Sequence, residues 1–544
     1  MSESDLIVPL GQSISVLPTE QDRAEVLRTN DLAVAASQTI TPQTIWQLAF
    51  SFPAMLGVIL VGAVGTIART FFVDPDVWWH VKFGQVILAT HHLPTTDIYS
   101  FSVAGQHWID AEWLGDVLLG GMYRLGGLRG LELTSLILGS AILIALYTLA
   151  AMRSGNSKAA FVATAAVFVM TVVSFNLRPQ MLGYLFLILT LIILQRFRRG
   201  KRRAMWALPI LMVVWVNVHP SWIIGLGVIG VYLASGLVEF HLGDIDAQSW
   251  SNSDRLRLAI VLGLCGCATF ITPYGAALAE FPFKFAFSLP LNIKNILEWL
   301  PIPFGSPLGK MFLAAVLGVI AFQVVCRFAW RLEELALFLF TTTMACLHVR
   351  FLLIFVPIFT PLLATMLARW VPPYKRKIDR YLLNAAMMAT VVAFTIWYFP
   401  TQAELLQSAG KTYPVAAVEF LNHNSVPGPM YNNYGFGGYL IWSRGPEHKV
   451  FMDGRGELYE PSGVFTDYLE IADIRPSAFS LIKKYGFQSC LIKQDEALAT
   501  VLAALPDWQR VYGDETSVLY VRRSASPVVG ARISSTPTEN AHGL

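Results

Sequence analysis

The chain has 544 residues, 54% of them hydrophobic and only 14% charged, with a mean hydropathy of +0.52. A soluble chain hardly keeps that balance in water, and a membrane protein is the default reading. The net charge of +3 is small for this length and gives no footing for nucleic-acid binding or a generally basic surface. Cys265, Cys267, Cys326 and Cys346 lie in apolar stretches and Cys490 stands alone in the tail, so no disulfide framework is implied. The Cys265-Gly266-Cys267 spacing is wrong for a zinc knuckle.

Residues 1–43 are polar and lack the basic region, apolar stretch and cleavage site of a secretory signal. They are expected to form a disordered cytoplasmic tail. Residues 44–400 contain apolar runs suited to crossing about 30 Å of hydrocarbon. These fall near Ile45–Ala68, Leu131–Met152, Ala159–Phe175, Met181–Leu194, Met205–Val218 and Trp222–Val238, then Leu258–Ile271, Met311–Val325, Leu335–Leu347, Leu352–Ala368 and Tyr381–Phe399. The pattern predicts about eleven crossings, several of them short or interrupted by Pro and Gly.

Lys and Arg cluster in alternate short loops: Arg153/Lys158, Arg196–Arg203, Arg255/Arg257, Arg327/Arg331 and Lys375–Lys377. Placing these loops in the cytoplasm puts the N-terminus inside. The long loop 71–130 and everything after about Pro400 then lie outside, and a bacterial inner membrane is the expected location. Within the outer loop, Ala111–Leu125 has helical spacing suited to the interface plane, and Trp78, Trp79, Trp108 and Trp113 suit the headgroup level. Residues 401–523 read as a soluble extracytoplasmic α/β domain. Its expected strands are Met430–Trp442, Lys449–Met452 and Ser489–Lys493, its helices Ser477–Tyr485 and Glu496–Leu505, and its hairpin Arg510–Arg522. Residues 524–544 show no pattern and are expected to be disordered.

The outer side holds the chemistry. Asp74 and Asp76 follow the first span directly, where carboxylates are costly unless used. Two acids one residue apart suit either a divalent cation such as Mg²⁺ or Mn²⁺ or general-base work on a hydroxyl; solvated acids ending a loop are the bland alternative. Trp78 and Trp79 offer flat apolar faces for a sugar or prenyl chain, His80 follows, and Asp110 and Glu112 lie further along the loop. Arg178 and Arg350, at outer ends of spans, suit bidentate binding of a lipid phosphate, or else snorkel to the interface. His219 is either a ligand or a satisfied buried histidine. Asn217, Tyr274, Glu298 and Trp299 are expected to shape the cavity. In the tail, three glycines within Tyr434-Gly435-Phe436-Gly437-Gly438-Tyr439 permit close backbone approach. Asp453-Gly454-Arg455-Gly456-Glu457 is either a second polar site or a turn held by an Asp–Arg pair.

Asp74-Pro75-Asp76-Val77-Trp78-Trp79-His80, placed just after the first span, resembles the first outer loop of the oligosaccharyltransferase catalytic subunit, a GT-C glycosyltransferase. Tyr434–Tyr439 is similar to that family's Trp-Trp-Asp-Tyr-Gly signature, with Asn432-Asn433 standing where Trp and Asp belong. The ordered series Arg178-Pro179-Gln180, Asn217-x-His219, Pro273-Tyr274-Gly275, Glu298-Trp299, Arg350-Phe351, Tyr434–Leu440 and Asp453-Gly454-Arg455 resembles a group of uncharacterised bacterial multi-spanning proteins grouped with glycosyltransferases. The resemblance implies a GT-C-like membrane domain and inverting transfer of a sugar from a polyprenyl-phosphate carrier to a glycan, lipid or protein acceptor outside the cytoplasm, with or without a metal. It places the first-loop acid at Asp74 or Asp76. Two other readings are a non-catalytic subunit of an envelope polysaccharide assembly or export machine, and a transporter. For the transporter, the paired broken helices and mid-bilayer charges are not evident.

Overall fold

The computed structural model describes residues 42–67, 74–172 and 176–523, so the tail expected at 524–544 and all but the last two residues of the one expected at 1–43 lie outside the described residues; Pro42 and Gln43 open a helix. The part before Pro400 is almost wholly helical, and each of the eleven apolar runs falls on a helix. Among the described residues, five helices are long and apolar enough to cross a bilayer: Trp113–Ser154, Gln180–Arg198, Pro307–Cys326, Val349–Leu367 and Tyr381–Tyr398. The pair Pro42–Ala49 and Phe52–Ile67, bent by 45°, makes a sixth if taken as one span. The other runs form shorter helices. Leu208–Val218 has 11 residues and at 1.5 Å per residue reaches only about 17 Å. Helix length therefore supports a multi-pass membrane protein without establishing eleven separate crossings.

Local sequence sets the helix ends. Ser51 caps Phe52–Thr66, its hydroxyl accepting the Ala54 N–H at 3.3 Å with Pro53 in the first turn. The 42-residue helix Trp113–Ser154 breaks at Gly127, whose φ is 58°. Its first part packs along the helix Asp76–Thr90. The two backbones approach closely at glycines: a Cβ on Gly84 would fall 1.8 Å from the Asp116 carbonyl oxygen, and one on Gly120 2.5 Å from the Gln85 nitrogen. The stretch expected to lie in the interface plane is thus one wall of a packed helix pair, with Asp116 fully buried.

At the other end of the bundle, strands β1 (Phe240–Leu242), β2 (Ile245–Ala247) and β3 (Trp330–Arg331) form a small sheet. Strand β2 runs antiparallel to β1 and parallel to β3. Beside it Arg153 holds Glu334 through two bonds of 2.5 and 3.0 Å, and Arg198 holds Glu333 at 2.6 Å. These basic residues, read from the sequence as loop charges, are ion-paired between helices.

The C-terminal part contains β4 (Met430–Asn432), β5 (Ser489–Lys493), β6 (Trp508–Gly513) and β7 (Ser517–Arg522), in the order β4-β5-β7-β6. β4 is parallel to β5, and β7 is antiparallel to both of its neighbours. Asp514 closes the β6–β7 hairpin, its Oδ1 accepting the N–H groups of Thr516 and Ser517 at 2.8 and 2.7 Å. Helices Ala478–Lys484 and Ala497–Ala504 occupy the expected stretches. Two expectations are corrected. Tyr434–Arg444 is a helix and not the continuation of β4, because Asn433 caps it by accepting the Gly435 N–H at 2.8 Å and Phe436 and Leu440 bury one face at helical spacing. The three glycines, poor helix formers, hide this pattern. Val450 joins no sheet of its own domain; it bridges to Ser100 in the first outer loop and exchanges backbone bonds with Tyr99 and Phe101.

That loop and the C-terminal part are locked by Arg455, 1% exposed. Its Nη2 donates to Asp97 at 2.8 Å and to Asp453 at 2.7 Å, and its Nε to Asp453 at 2.8 Å. The guanidinium also lies over the rings of Phe83 and Trp108, at 5.2 and 5.0 Å. Asp453-Gly454-Arg455 is thus a turn held by an Asp–Arg pair. Arg455→Met would strand two buried carboxylates, and removing one partner of such a group costs about 3–5 kcal/mol. Thermal unfolding in detergent should show a large loss for Arg455→Met and little for the exposed Arg475→Met, whose partner Asp473 is equally exposed.

Candidate active site at the first outer loop

The Asp76–Thr90 helix begins at the acids themselves. Asp74 Oδ1 accepts the Asp76 N–H at 2.9 Å, and Asp76 stands in the first helical turn, where the helix dipole favours negative charge. Arg178, from the turn before Gln180–Arg198, gathers three carboxylates: its Nε lies 3.2 Å from Asp74 Oδ2, its Nη1 2.9 Å from Asp76 Oδ2, and its Nη2 against Glu298. Asn176 donates to Asp74 at 3.2 Å and Trp79 Nε1 to Asp76 at 3.2 Å. Asp74 is 6% exposed and the Asp76 side chain 17%, so Asp76 is the more accessible.

Burial, then the neighbouring Asp74, pushes the Asp76 carboxyl up to about 7 against the pull of Arg178. Asp74 is raised too, by burial first. Burial also works to raise Glu298, but Arg178 and Arg350 outweigh it and hold that carboxyl at about 2.

Glu112 occupies the next position along the site. Its Oε2 is 3.4 Å from His80 Nε2 and its Oε1 3.2 Å from His219 Nε2. His80 Nδ1 meets Asp116 at 2.6 Å, while His219 Nδ1 accepts the Ser221 N–H at 3.0 Å. Both imidazoles are held well below the usual histidine range, chiefly by burial and then by the arginines. Burial, with Asp110 and Asp76, raises Glu112 to about 8 against Arg178, and burial raises Asp110 to about 7. Trp113 Nε1 donates to Asn217 at 2.9 Å, which ties this wall to the helix Leu208–Val218.

Arg350 differs from Arg178. It stacks 4.3 Å from the Trp299 ring centroid, and among the described residues no carboxylate lies within ion-pair distance of it. The Trp299 carbonyl is itself held at 2.6 Å by His348 Nδ1.

The expected residues therefore converge, though not all on a surface. Asp76, Glu112, Arg178 and Arg350 are partly exposed, whereas Trp78, His80 and Asp110 are each 1% exposed and His219 7%, so they stand behind the surface. Trp78, Trp79 and Trp108 are buried and present no open face to headgroups; Trp78 packs against Tyr413, Tyr439 and Trp442 of the C-terminal part. Asp116 and the pairing role of Glu298 were not read from the sequence. The signal for Asp116 was an acid amid the small and apolar residues of Ala111–Leu125; for Glu298 it was an acid beside Trp299 in a loop poor in basic residues.

The C-terminal part supplies the site's cover. A Cβ on Gly438 would fall 2.4 Å from the Pro75 carbonyl oxygen, and one on Gly454 1.8 Å from Asp76 Oδ1. The neighbour that the glycine run approaches is the Asp74-Pro75-Asp76 turn.

The acids do not fit a divalent cation as arranged. Every carboxylate oxygen of Asp74 and Asp76 already has a protein partner, and a guanidinium occupies the point where their charges meet. Among the described residues no three His, Cys, Asp or Glu side chains are grouped to hold a metal. As arranged, Arg178 stands where the Asp-x-Asp spacing allowed a Mg²⁺ or Mn²⁺.

No protein-family model matches the chain, and no curated protein matches it in sequence. In structure it is similar to the Archaeoglobus fulgidus oligosaccharyltransferase tethered with an acceptor peptide, with a TM-score of 0.47, 11% identity, and coverage of 80% of this chain and 68% of that one. It is also similar to ArnT from Cupriavidus metallidurans, in the apo state with a TM-score of 0.46 and 15% identity over 85% of this chain and 97% of that one. For ArnT bound to undecaprenyl phosphate the values are 0.45, 14%, 86% and 98%. Oligosaccharyltransferase, whose first outer loop the sequence resembles, is thus among its structural neighbours.

The two arginines should behave oppositely on removal. Arg178→Met leaves three acids facing each other, and thermal unfolding in detergent should show a loss of about 3–5 kcal/mol. Arg350→Met loses a cation–π contact, and the same measurement should show about 1 kcal/mol or less.

Proposed function

We propose that the protein transfers a sugar, with inversion, from a polyprenyl-phosphate-linked donor to an acceptor outside the cytoplasm. Residues 44–400 form the membrane domain, residues 401–523 cover the site from outside, and the membrane is the bacterial inner one. The observation that carries this reading is the uncommitted guanidinium of Arg350, set beside carboxylates that are already paired with Arg178. A planar fork of donors free of carboxylate partners suits a phosphate at the lipid boundary.

Arg350 holds the donor phosphate. Asp76, the more exposed of the two expected acids, takes the proton of the acceptor hydroxyl. The hydroxyl oxygen bonds to the anomeric carbon, the carbon–oxygen bond to phosphate breaks, and its electron pair leaves on the phosphate. Arg178 keeps Asp74, Asp76 and Glu298 in place while this happens, and no step passes through a metal.

The test is transfer from an undecaprenyl-phosphate-linked radiolabelled sugar in proteoliposomes. Arg350→Ala should raise KM about tenfold, the loss of one charge-assisted contact. Asp76→Asn should lower kcat about 10²-fold. Because a raised carboxyl becomes a base only once ionised, the wild-type rate should rise as pH passes upward through about 7, and this limb should vanish in Asp76→Asn. Transfer unchanged in Asp74→Ala and Asp76→Ala alike would sink the assignment.

A further inference from the structure

The leaving phosphate raises a problem that Asp76 does not solve. A sugar-linked phosphodiester carries one negative charge; once the anomeric bond breaks, the monoester left behind carries up to two at neutral pH. That second charge develops among Asp74, Asp76 and Glu298, with Arg178 already spent on them. A proton donor at the site would remove the penalty.

Resting on the glycosyl-transfer reading above, we infer that Glu112, set between two imidazoles, is that donor and protonates the phosphate oxygen as the sugar leaves. The geometry accommodates both of its states. His219 Nδ1 accepts the Ser221 N–H at 3.0 Å, so the proton of this neutral ring sits on Nε2. That N–H points at Glu112 Oε1 at 3.2 Å and stabilises the carboxylate that remains after transfer. On the other side Oε2 faces His80 Nε2 at 3.4 Å, with His80 fixed from behind by Asp116 at 2.6 Å. His80, His219 and Asp116 touch no substrate; they are positioning residues.

The charges that face Glu112 are Arg178, Asp110, Asp76 and Arg350. Burial raises both carboxyls, Glu112 to about 8 and Asp76 to about 7, so both can change protonation near neutral pH, one as acid and the other as base. The balance closes. Asp76 gains the proton of the acceptor hydroxyl, Glu112 gives its own to the departing phosphate oxygen, and the electron pair of the broken carbon–oxygen bond stays on that oxygen. The two acids return to their starting states by exchange with water.

The experiment uses the whole protein in proteoliposomes with two donors carrying the same sugar: the natural undecaprenyl phosphate linkage, and one in which difluoromethylene replaces the oxygen joining phosphorus to the prenyl chain. The second leaving group is more acidic and needs less help. Glu112→Gln should lower kcat about 10²-fold on the first donor with KM little changed. It should abolish the fall in rate above about pH 8, and it should lose much less on the fluorinated donor. Glu112→Asp, which keeps the acid, should retain part of the rate and the alkaline fall. An equal loss on both donors, or a wild-type rate and pH profile in Glu112→Gln, overturns the acid assignment while leaving sugar transfer intact. A wild-type protein that transfers from neither donor overturns the transferase reading itself.

Discussion

Three carboxylates meeting one guanidinium set the character of this protein's candidate site. Asp74, Asp76 and Glu298 come from the start of one helix and a distant loop, and Arg178 from a third segment. Unpaired buried carboxylates repel each other and pay a desolvation cost of several kcal/mol each, so the folded arrangement depends on Arg178 being present among them. The same contact explains why the site has no room for a divalent cation: the organic cation already stands where the negative potential is greatest. It also leaves Arg350, stacked on Trp299, as the guanidinium with donors to spare.

Around this core the site separates charge from neutrality. Arg178 and its acids form a fixed ionic block. Glu112, His80 and His219 form a neighbouring block whose burial favours uncharged forms, and only the Glu112 side chain, 20% exposed, opens it to the surface. Neutral groups with well-defined donors and acceptors can pass protons without moving heavy atoms, and within the ionic block Asp76, raised to about 7, is the member placed to gain one. The close backbone approach at Gly84 and Gly120 brings the two blocks together, since it lays the helix carrying His80 along the one that begins just after Glu112.

The sequence reveals the actors better than their relations. Apolar runs located the helices because burial and lipid contact both demand continuous hydrophobicity, and the rarity of charge on the outer side made Asp74, Asp76, Arg178 and Arg350 conspicuous. What it could not reveal was which charges cancel. Asp74 and Arg178 are about a hundred residues apart, and the Asp-x-Asp spacing suits a metal equally well when the guanidinium is out of view. Tryptophan suggests a membrane interface, yet Trp78 is consumed by packing against Tyr413 and Tyr439, because the C-terminal part descends onto the helix that carries it. The helix Tyr434–Arg444 was missed for a related reason: its glycines serve contact with Pro75 at the expense of helix propensity.

The contact between Gly454 and Asp76 has a consequence for biogenesis. A ribosome makes the acids of the first loop nearly four hundred residues before the segment that covers them. Until that segment is made, Asp97 has no Arg455 to meet and the Asp74-Pro75-Asp76 turn has no cover. A nascent or truncated chain therefore carries the acids without their roof, and the pocket matures only when the Asp453–Arg455 turn has met the loop that holds Asp97.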